Sequence, residues 1–248
     1  MLKIIICGIN GKIGSLLYDS ATNNSHQVVS GIDKITVSAV DCPVYPNFYQ
    51  VKEHADVIVD FSSPSCLNDL LCYAIENKTP LVIGTTGYSN EQEKKIMEVS
   101  KSIPIFKSAN TSLGVNLILK LCKFATTVLN GFDIEITDKH HRHKKDSPSG
   151  TAKMIYDVIA QTLRYPTSPI YGRKGSEKRK PREIGIHSLR GGSVVGEHSV
   201  FFFGENETIT ITHTANSKQL FAFGAIKAAE FIVTKPNGLY DMDDLLTF

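Results

Sequence analysis

The sequence predicts two parts: a doubly wound, parallel α/β sheet, and a second α+β domain built on a mixed or antiparallel sheet. Three observations carry that expectation. An apolar stretch at residues 2–7 runs straight into a glycine-rich segment at residues 8–14. Short apolar strands then alternate with helical spacing as far as residue 106, which implies parallel strands joined by right-handed crossovers. After Asn110 long helices follow, together with strands that alternate apolar and polar residues, as sheets with one wetted face do.

Taken in order, residues 2–7 read as a strand buried on both faces, and a helix follows the glycines to about residue 21. Residues 28–32 form a second buried strand ending at Asp33, residues 56–61 (DVIVDF) a third and residues 80–83 (PLVI) a fourth. Between the third and fourth, residues 65–77 place Leu67, Leu70, Leu71 and Ala74 on one helical face. Residues 91–100 predict another helix and residues 103–106 a short strand. In the second part, residues 113–129 read as a long helix and residues 132–138 as an antiparallel strand, by their alternation. Residues 150–163 read as a helix, residues 194–203 and 207–213 as strands of an open sheet, and residues 221–233 as a final apolar helix. The basic stretch 172–182 (GRKGSEKRKPR) is poor in apolar residues and is expected to be a mobile loop. The expected domains are residues 1–110 with 218–248, and residues 111–217.

A chain of 248 residues can bury a real core in one large domain or two modest ones. The composition, 42% hydrophobic and 21% charged, is that of an ordinary globular protein. A net charge of +2 is too near neutral for nucleic acid or an anionic membrane to be the main partner. Cys7, Cys42, Cys66, Cys72 and Cys122 are odd in number and form no C-x-x-C pair, which argues against a disulfide framework and for a reducing compartment. No apolar run is long enough to span a bilayer, and the N-terminal run lacks the basic flank and cleavage site of a signal peptide. A cytoplasmic location is expected.

The segment Gly8-Ile9-Asn10-Gly11-Lys12-Ile13-Gly14 lies between a buried strand and a helix. That is the context a dinucleotide fingerprint needs, since glycines let backbone approach a pyrophosphate and the helix start offers free N–H groups. The spacing is G-x-x-G-x-x-G, not the commoner G-x-G-x-x-G, so a plain glycine turn competes. Asp33 ends the second strand, where a carboxylate accepts hydrogen bonds from the adenosine ribose. It repels a 2′-phosphate and so favours NADH. Adjacent Lys34 could pair with that phosphate or be a solvated loop lysine, so use of NADPH is also expected. Gly84, Thr85, Thr86 and Gly87 follow the fourth strand, on the edge that lines the ligand crevice, where they suit close approach to a nicotinamide ribose or simply a tight turn. The first part thus reads as Rossmann-like.

The stretch His140-His141-Arg142-His143-Lys144-Lys145 packs three histidines and three cations ahead of a helix start at Pro148, Ser149, Gly150 and Thr151. First-turn N–H groups of Gly150 and Thr151 can bind a carboxylate, and Lys144 can add a point charge. A solvated basic loop competes with that reading. A metal held by His141 and His143 would lack a suitably placed carboxylate or cysteine, and a nucleic-acid site would lack interleaved aromatics.

These residues carry a resemblance. His140, His141, Arg142, His143 and Lys144 with Asp146, Pro148, Ser149, Gly150, Thr151 and Ala152 look like the signature of the 4-hydroxy-tetrahydrodipicolinate (dihydrodipicolinate) reductase family. Residues 8–14, 60–62, 84–87, 110–116, 188–192, 196–198, 213–215 and 221–225 resemble it too, so the similarity spans nearly the whole chain. The resemblance implies a Rossmann-like domain completed by the C-terminal helix, and an inserted mixed-sheet domain used for homotetramer formation. It implies NAD(P)H-dependent reduction of a cyclic dicarboxylate imine to tetrahydrodipicolinate in lysine and diaminopimelate biosynthesis. It further implies His140 as the catalytic acid, Lys144 as its catalytic partner, and His141, Lys144, Ser149, Gly150 and Thr151 as ligands of a small dicarboxylate substrate. Gly8, Asn10, Gly11, Lys12, Ile13, Gly14, Asp33, Lys34, Gly84, Thr85, Thr86, Ser108 and Asn110 are the expected cofactor contacts, with no metal. Two departures stand out: Lys218 occupies the place of the family's arginine, and the segment 34–56 is shorter than in many bacterial members. Another Rossmann reductase of an amino or keto acid is a rival, although an aspartate-semialdehyde dehydrogenase would need a nucleophilic cysteine in a recognisable motif. A non-enzymatic NAD(H) sensor is a second rival, and would have no use for His140 and Lys144.

Overall fold

The computed structural model describes residues 1–37 and 39–247, so residue 38, within the short segment 34–56, and residue 248 lie outside it. The chain divides into two compact units, Met1–Leu113 with Lys218–Phe248, and Gly114–Ser217.

The first unit is built on β1 (Lys3–Cys7), α1 (Lys12–Asn23), β2 (Gln27–Ile32), β3 (Val44–Tyr45), β4 (Val57–Asp60), α2 (Leu67–Asn77), β5 (Leu81–Ile83), α3 (Asn90–Val99) and β6 (Pro104–Lys107). The second contributes α4 (Leu113–Val128), whose first residue belongs to the first unit, then β7 (Asp133–His140), α5 (Gly150–Thr162), β8 (Ser168–Tyr171), β9 (Glu183–Arg190), β10 (Gly196–Phe203) and β11 (Thr208–Ala215). The chain then returns to the first unit with α6 (Gln219–Ile232), β12 (Gly238–Tyr240) and α7 (Met242–Leu245).

Seven strands of the first unit form one sheet in the order β12-β6-β5-β4-β1-β2-β3, every pair parallel. Its apolar strands are buried on both faces. Ile4 and Ile6 pack with α1 and with Ala222, Ala225, Ile226 and Ala229 of α6 on one side. Ile5 and Ile58 pack with Leu67, Leu70, Leu71 and Ala74 of α2 on the other. Burying each isoleucine or leucine among them contributes about 1.5–3 kcal/mol. The strand order reverses between β1 and β4, so the crevice beyond their carboxyl ends is the switch point where such sheets bind ligands. The Rossmann-like expectation is met. β3 and β12, of two and three residues, and the one-turn α7 carry too few residues to show a period in the sequence.

The second sheet runs β11-β10-β7-β9-β8. Here the alternation of β7 is only half informative: β7 pairs antiparallel with β10 but parallel with β9. Residues 183–190, unassigned from sequence, form β9, which lies between β7 and the edge strand β8. Ile134, Ile136, Ile184, Ile186, Val200 and Phe202 turn one face toward α4 and α5. The basic stretch 172–182 has neither helix nor strand, yet it is fastened. Arg173 pairs with Glu135 at 3.1 Å and with Glu183 at 2.9 Å, and Arg179 pairs with Asp133 at 2.7 Å. Cys7, Cys42, Cys66, Cys72 and Cys122 are all free thiols, and among the described residues no helix is long and apolar enough to cross a membrane.

Candidate active site

In the first unit the site begins where β1 ends. Gly8 takes φ +81°, a left-handed conformation, and a Cβ there would come within 2.5 Å of the Phe61 carbonyl oxygen. A Cβ on Gly14 would overlap the Gly8 and Ile9 carbonyl oxygens. The loop closes by a 2.9 Å hydrogen bond from Gly11 N–H to the Gly8 carbonyl. Gly11 caps α1 with no side-chain acceptor, so helix geometry leaves the N–H groups of Lys12, Ile13 and Gly14 for an anion. This is a cradle a side chain would fill, and it fits a dinucleotide pyrophosphate.

Asp33 stands beside this loop and braces it. Its Oδ2 accepts the Asn10 N–H at 3.0 Å and its Oδ1 the Ile35 N–H at 3.3 Å. Asn10 donates its side-chain amide to the Ile35 carbonyl at 2.6 Å. Lys34 is exposed. Of the segment after β5, Thr85 is buried and its hydroxyl accepts the Ser62 N–H at 2.8 Å, tying the ends of β4 and β5 together. Thr86 is exposed. Ser108 closes a local turn, donating to the Asn110 carbonyl at 2.8 Å, while Asn110 Oδ1 accepts the Ser112 N–H at 3.0 Å.

In the second unit His140 is the last residue of β7, not a loop residue. Asp138, two residues earlier and therefore on the same face of the strand, is fully buried. His140 Nδ1 lies 2.6 Å from Asp138 Oδ1, and His198 Nε2 lies 3.6 Å from the same oxygen. Asp138 Oδ2 accepts the Ser149 N–H at 2.7 Å, the Arg190 guanidinium at 3.0 Å and the Ser188 hydroxyl at 3.2 Å. Burial opposes this charge, but Ser149, Arg190 and His140 outweigh it and hold the carboxyl below its ordinary value. Asp138, His140 and His198 could between them offer ligands to a metal, but Arg190 already supplies the counter-charge.

Ser149 caps α5: its hydroxyl accepts the Ala152 N–H at 3.2 Å and lies 2.9 Å from His198 Nε2. Both of its polar groups are thus committed within the protein, which makes it the builder of the helix start. The first-turn N–H groups of Gly150 and Thr151 remain for an anion. Lys144 Nζ pairs with Asp146 at 2.8 Å, so an incoming carboxylate would compete with Asp146 for it. His141 is half-buried and its ring lies 6.3 Å from that of exposed His143. Burial lowers the His140 pKa and the Lys144 and Arg190 cations add to the effect, while Asp138 opposes them. Burial takes His198 down to about 4. Asp138, Arg190 and His198 went unassigned from sequence. The i, i+2 spacing of Asp138 and His140 on a strand was the available signal; Arg190 and His198 arrive only through strand register, opposite His140 and Asp138 respectively.

A backbone cradle for a pyrophosphate at a Rossmann switch point, with a cationic anion site in the inserted unit, defines a nicotinamide-dependent oxidoreductase. Models of the dihydrodipicolinate reductase family match almost end to end, the N-terminal model over residues 2–111 and the C-terminal model over residues 114–246. The chain is 51% identical over 248 residues to the 4-hydroxy-tetrahydrodipicolinate reductase of Caldanaerobacter subterraneus subsp. tengcongensis, covering 99% of this chain and 98% of that one. It is 48% identical to the reductase of the same name from Clostridium tetani, covering 99% and 97%. Among solved structures, the dipicolinate-bound dihydrodipicolinate reductase of Paenisporosarcina sp. TG-14 shares the fold with a TM-score of 0.82, at 23% identity and 99% coverage of both chains. The chain belongs to the dihydrodipicolinate reductase family. Its activity is that of the family, NAD(P)H-dependent reduction of 4-hydroxy-tetrahydrodipicolinate to tetrahydrodipicolinate in lysine and diaminopimelate biosynthesis.

Proposed function

We propose that His140 is the proton donor of this reaction, that Lys144 is its electrostatic partner, and that Gly150, Thr151, His141 and Lys144 hold a small dicarboxylate substrate. The observation that carries this is the meeting of His140 with the start of α5 on one buried carboxylate: Asp138 lies 2.6 Å from His140 Nδ1 and accepts the Ser149 N–H at 2.7 Å. With Nδ1 facing the Asp138 carboxylate, Nε2 is the nitrogen that delivers a proton. A bound reduced nicotinamide supplies the hydride. As negative charge builds on the substrate ring, His140 protonates it and Lys144 offsets it, while the α5 N-terminus and His141 hold the carboxylates in place. That the related enzyme from Paenisporosarcina binds dipicolinate supports a dicarboxylate here.

The loop at residues 8–14 would hold the pyrophosphate and Asp33 the adenosine ribose. The Gly84, Thr85 and Thr86 segment and the Ser108–Asn110 turn would lie toward the nicotinamide ribose. Asp33 favours NADH, because its carboxylate repels a 2′-phosphate, and Lys34 permits some use of NADPH. The unit with the parallel sheet is thus the dinucleotide-binding domain, and the inserted unit the substrate-binding and oligomerisation domain. A homotetramer is the assembly the family resemblance implies, and native mass spectrometry should return four chains.

The first test is spectrophotometric. NADH and NADPH oxidation would be followed with substrate made in situ from pyruvate and aspartate semialdehyde by the preceding synthase. Synthase-dependent oxidation that is faster with NADH, and lost in His140→Ala, is the expected result. Equal rates with both cofactors would overturn the NADH preference, and an active His140→Ala the proton-donor assignment.

A further inference from the structure

We propose that Asp138 is the positioning residue for the acid step. One of its oxygens fixes the His140 ring through Nδ1, and the other fixes the N-terminus of α5, so that a single buried carboxylate sets the proton donor and the anion site in register. This rests on the assignment of His140 as proton donor.

A carboxylate with no solvent exposure must be fully paired to remain charged. Asp138 meets that condition by hydrogen bonds from Ser149, Arg190 and Ser188 on Oδ2, and by ion-pair contacts without hydrogen-bond alignment on Oδ1, where His140 Nδ1 lies at 2.6 Å and His198 Nε2 at 3.6 Å. Arg190 is locked in turn, since its guanidinium also donates to the carbonyls of Asp138 at 3.1 Å and Asp146 at 2.8 Å. The carboxylate is therefore a fixed point and the imidazole the group it orients. In neutral His140 the carboxylate keeps the ring proton on Nδ1, so that Nε2 is the nitrogen that gains and loses a proton. A Cβ at position 196 would come within 3.1 Å of Nε2, so Gly196 leaves the space beside that nitrogen clear.

The groups facing His140 are Asp138 on its own strand, Lys144 on the following loop, Arg190 on β9 and His198 on β10, whose ring lies 5.2 Å away. His213 on β11 faces His198 one strand further out. Lys144 and Arg190 disfavour the imidazolium, His198 carries no charge above about pH 4, and Asp138 is the group that sustains it. Without Asp138 the acid form would persist only to lower pH.

The test uses full-length Asp138→Asn, His140→Gln and the double variant. Turnover of Asp138→Asn should fall about 10- to 100-fold, a part of what the acid itself contributes, with the KM for NADH within about twofold of wild type. The pH above which kcat declines should move down by about one unit, the usual effect of losing an adjacent opposite charge. In the His140→Gln background the same change should cost under about threefold, because coupled residues are not additive. In ¹⁵N-histidine spectra of the wild-type enzyme, neutral His140 should carry its proton on Nδ1. An unmoved pH profile in Asp138→Asn, even with slower turnover, would reduce Asp138 to a structural role and overturn the inference. A proton on Nε2 of neutral His140 would overturn it too, without needing a folded variant. Near-normal turnover in His140→Gln would instead remove the proton-donor assignment, and this inference with it.

Discussion

Gly8 and Gly14 prepare the anion site of the first unit by what they lack, whereas Asp138, His140, Arg190 and His198 prepare that of the second by what they carry. The first site is local: seven consecutive residues between β1 and α1 expose backbone N–H groups, and the sheet behind them merely presents the loop at its switch point. The second is assembled from three neighbouring strands, β9, β7 and β10, and from the start of α5. The contrast teaches how each should fail. A backbone site is spoiled by added atoms, and the loss falls on cofactor affinity. A side-chain site is spoiled by removed charge, and the loss falls on turnover and its pH dependence.

The largest test of that contrast lies in the second unit. His140→Ala and Lys144→Ala should each lower kcat by about 100-fold or more, while NADH affinity, followed by fluorescence titration, stays within about twofold. A comparable loss of NADH affinity would erase the division of labour. Next in size, Gly14→Ala should weaken NADH by about tenfold or more, equivalent to about 1.4 kcal/mol, because the new Cβ overlaps two carbonyl oxygens of the loop; wild-type affinity would mean the loop yields freely.

Stability should carry the mark of the second site in acid. His198 has a folded pKa of about 4 against an ordinary 6.5, set by burial. Between those values the unfolded chain binds a proton that the native ring refuses, so stability is intact above about pH 6.5 and declines as pH falls toward 4. The loss attributable to this ring should be about 1–3 kcal/mol, read from urea midpoints across that window, and His198→Gln should flatten the curve. The smallest expected effect is at Asp33. Asp33→Ala should weaken NADH roughly three- to tenfold and NADPH less, since the ribose hydroxyls lose an acceptor worth about 1 kcal/mol. Some loss should be common to both cofactors because Asn10 and Ile35 hang on the same carboxylate; equal loss would sink the ribose contact.

The strands and helices of the parallel unit were legible because double burial writes each strand as an apolar run and each helix as a 3.6-residue stripe. The mixed sheet was less so. In residues 183–190 the alternation is carried by only Ile184 and Ile186, with Gly185 between them left bare for the Glu135 carboxylate that lies across it. The direction of β7 could not be read from alternation, since period two is the same whether a neighbour runs parallel or antiparallel. The basic stretch 172–182 looked free because two of its acidic partners, Asp133 and Glu135, lie some forty residues earlier in the chain.

By itself the sequence determined the fold class, the glycine turn after β1, the helix start at Ser149 and the cluster from His140 to Lys144, because each rests on contacts within a few residues along the chain. Only the tertiary structure decided that Asp138 is the buried partner of His140, that Arg190 and His198 join it, and that the Ser149 hydroxyl is spent on capping α5. Those are consequences of register: β9 sets Arg190 opposite His140 and β10 sets His198 opposite Asp138. A one-residue slip in either would turn those side chains to the other face, and a linear sequence does not display its own register.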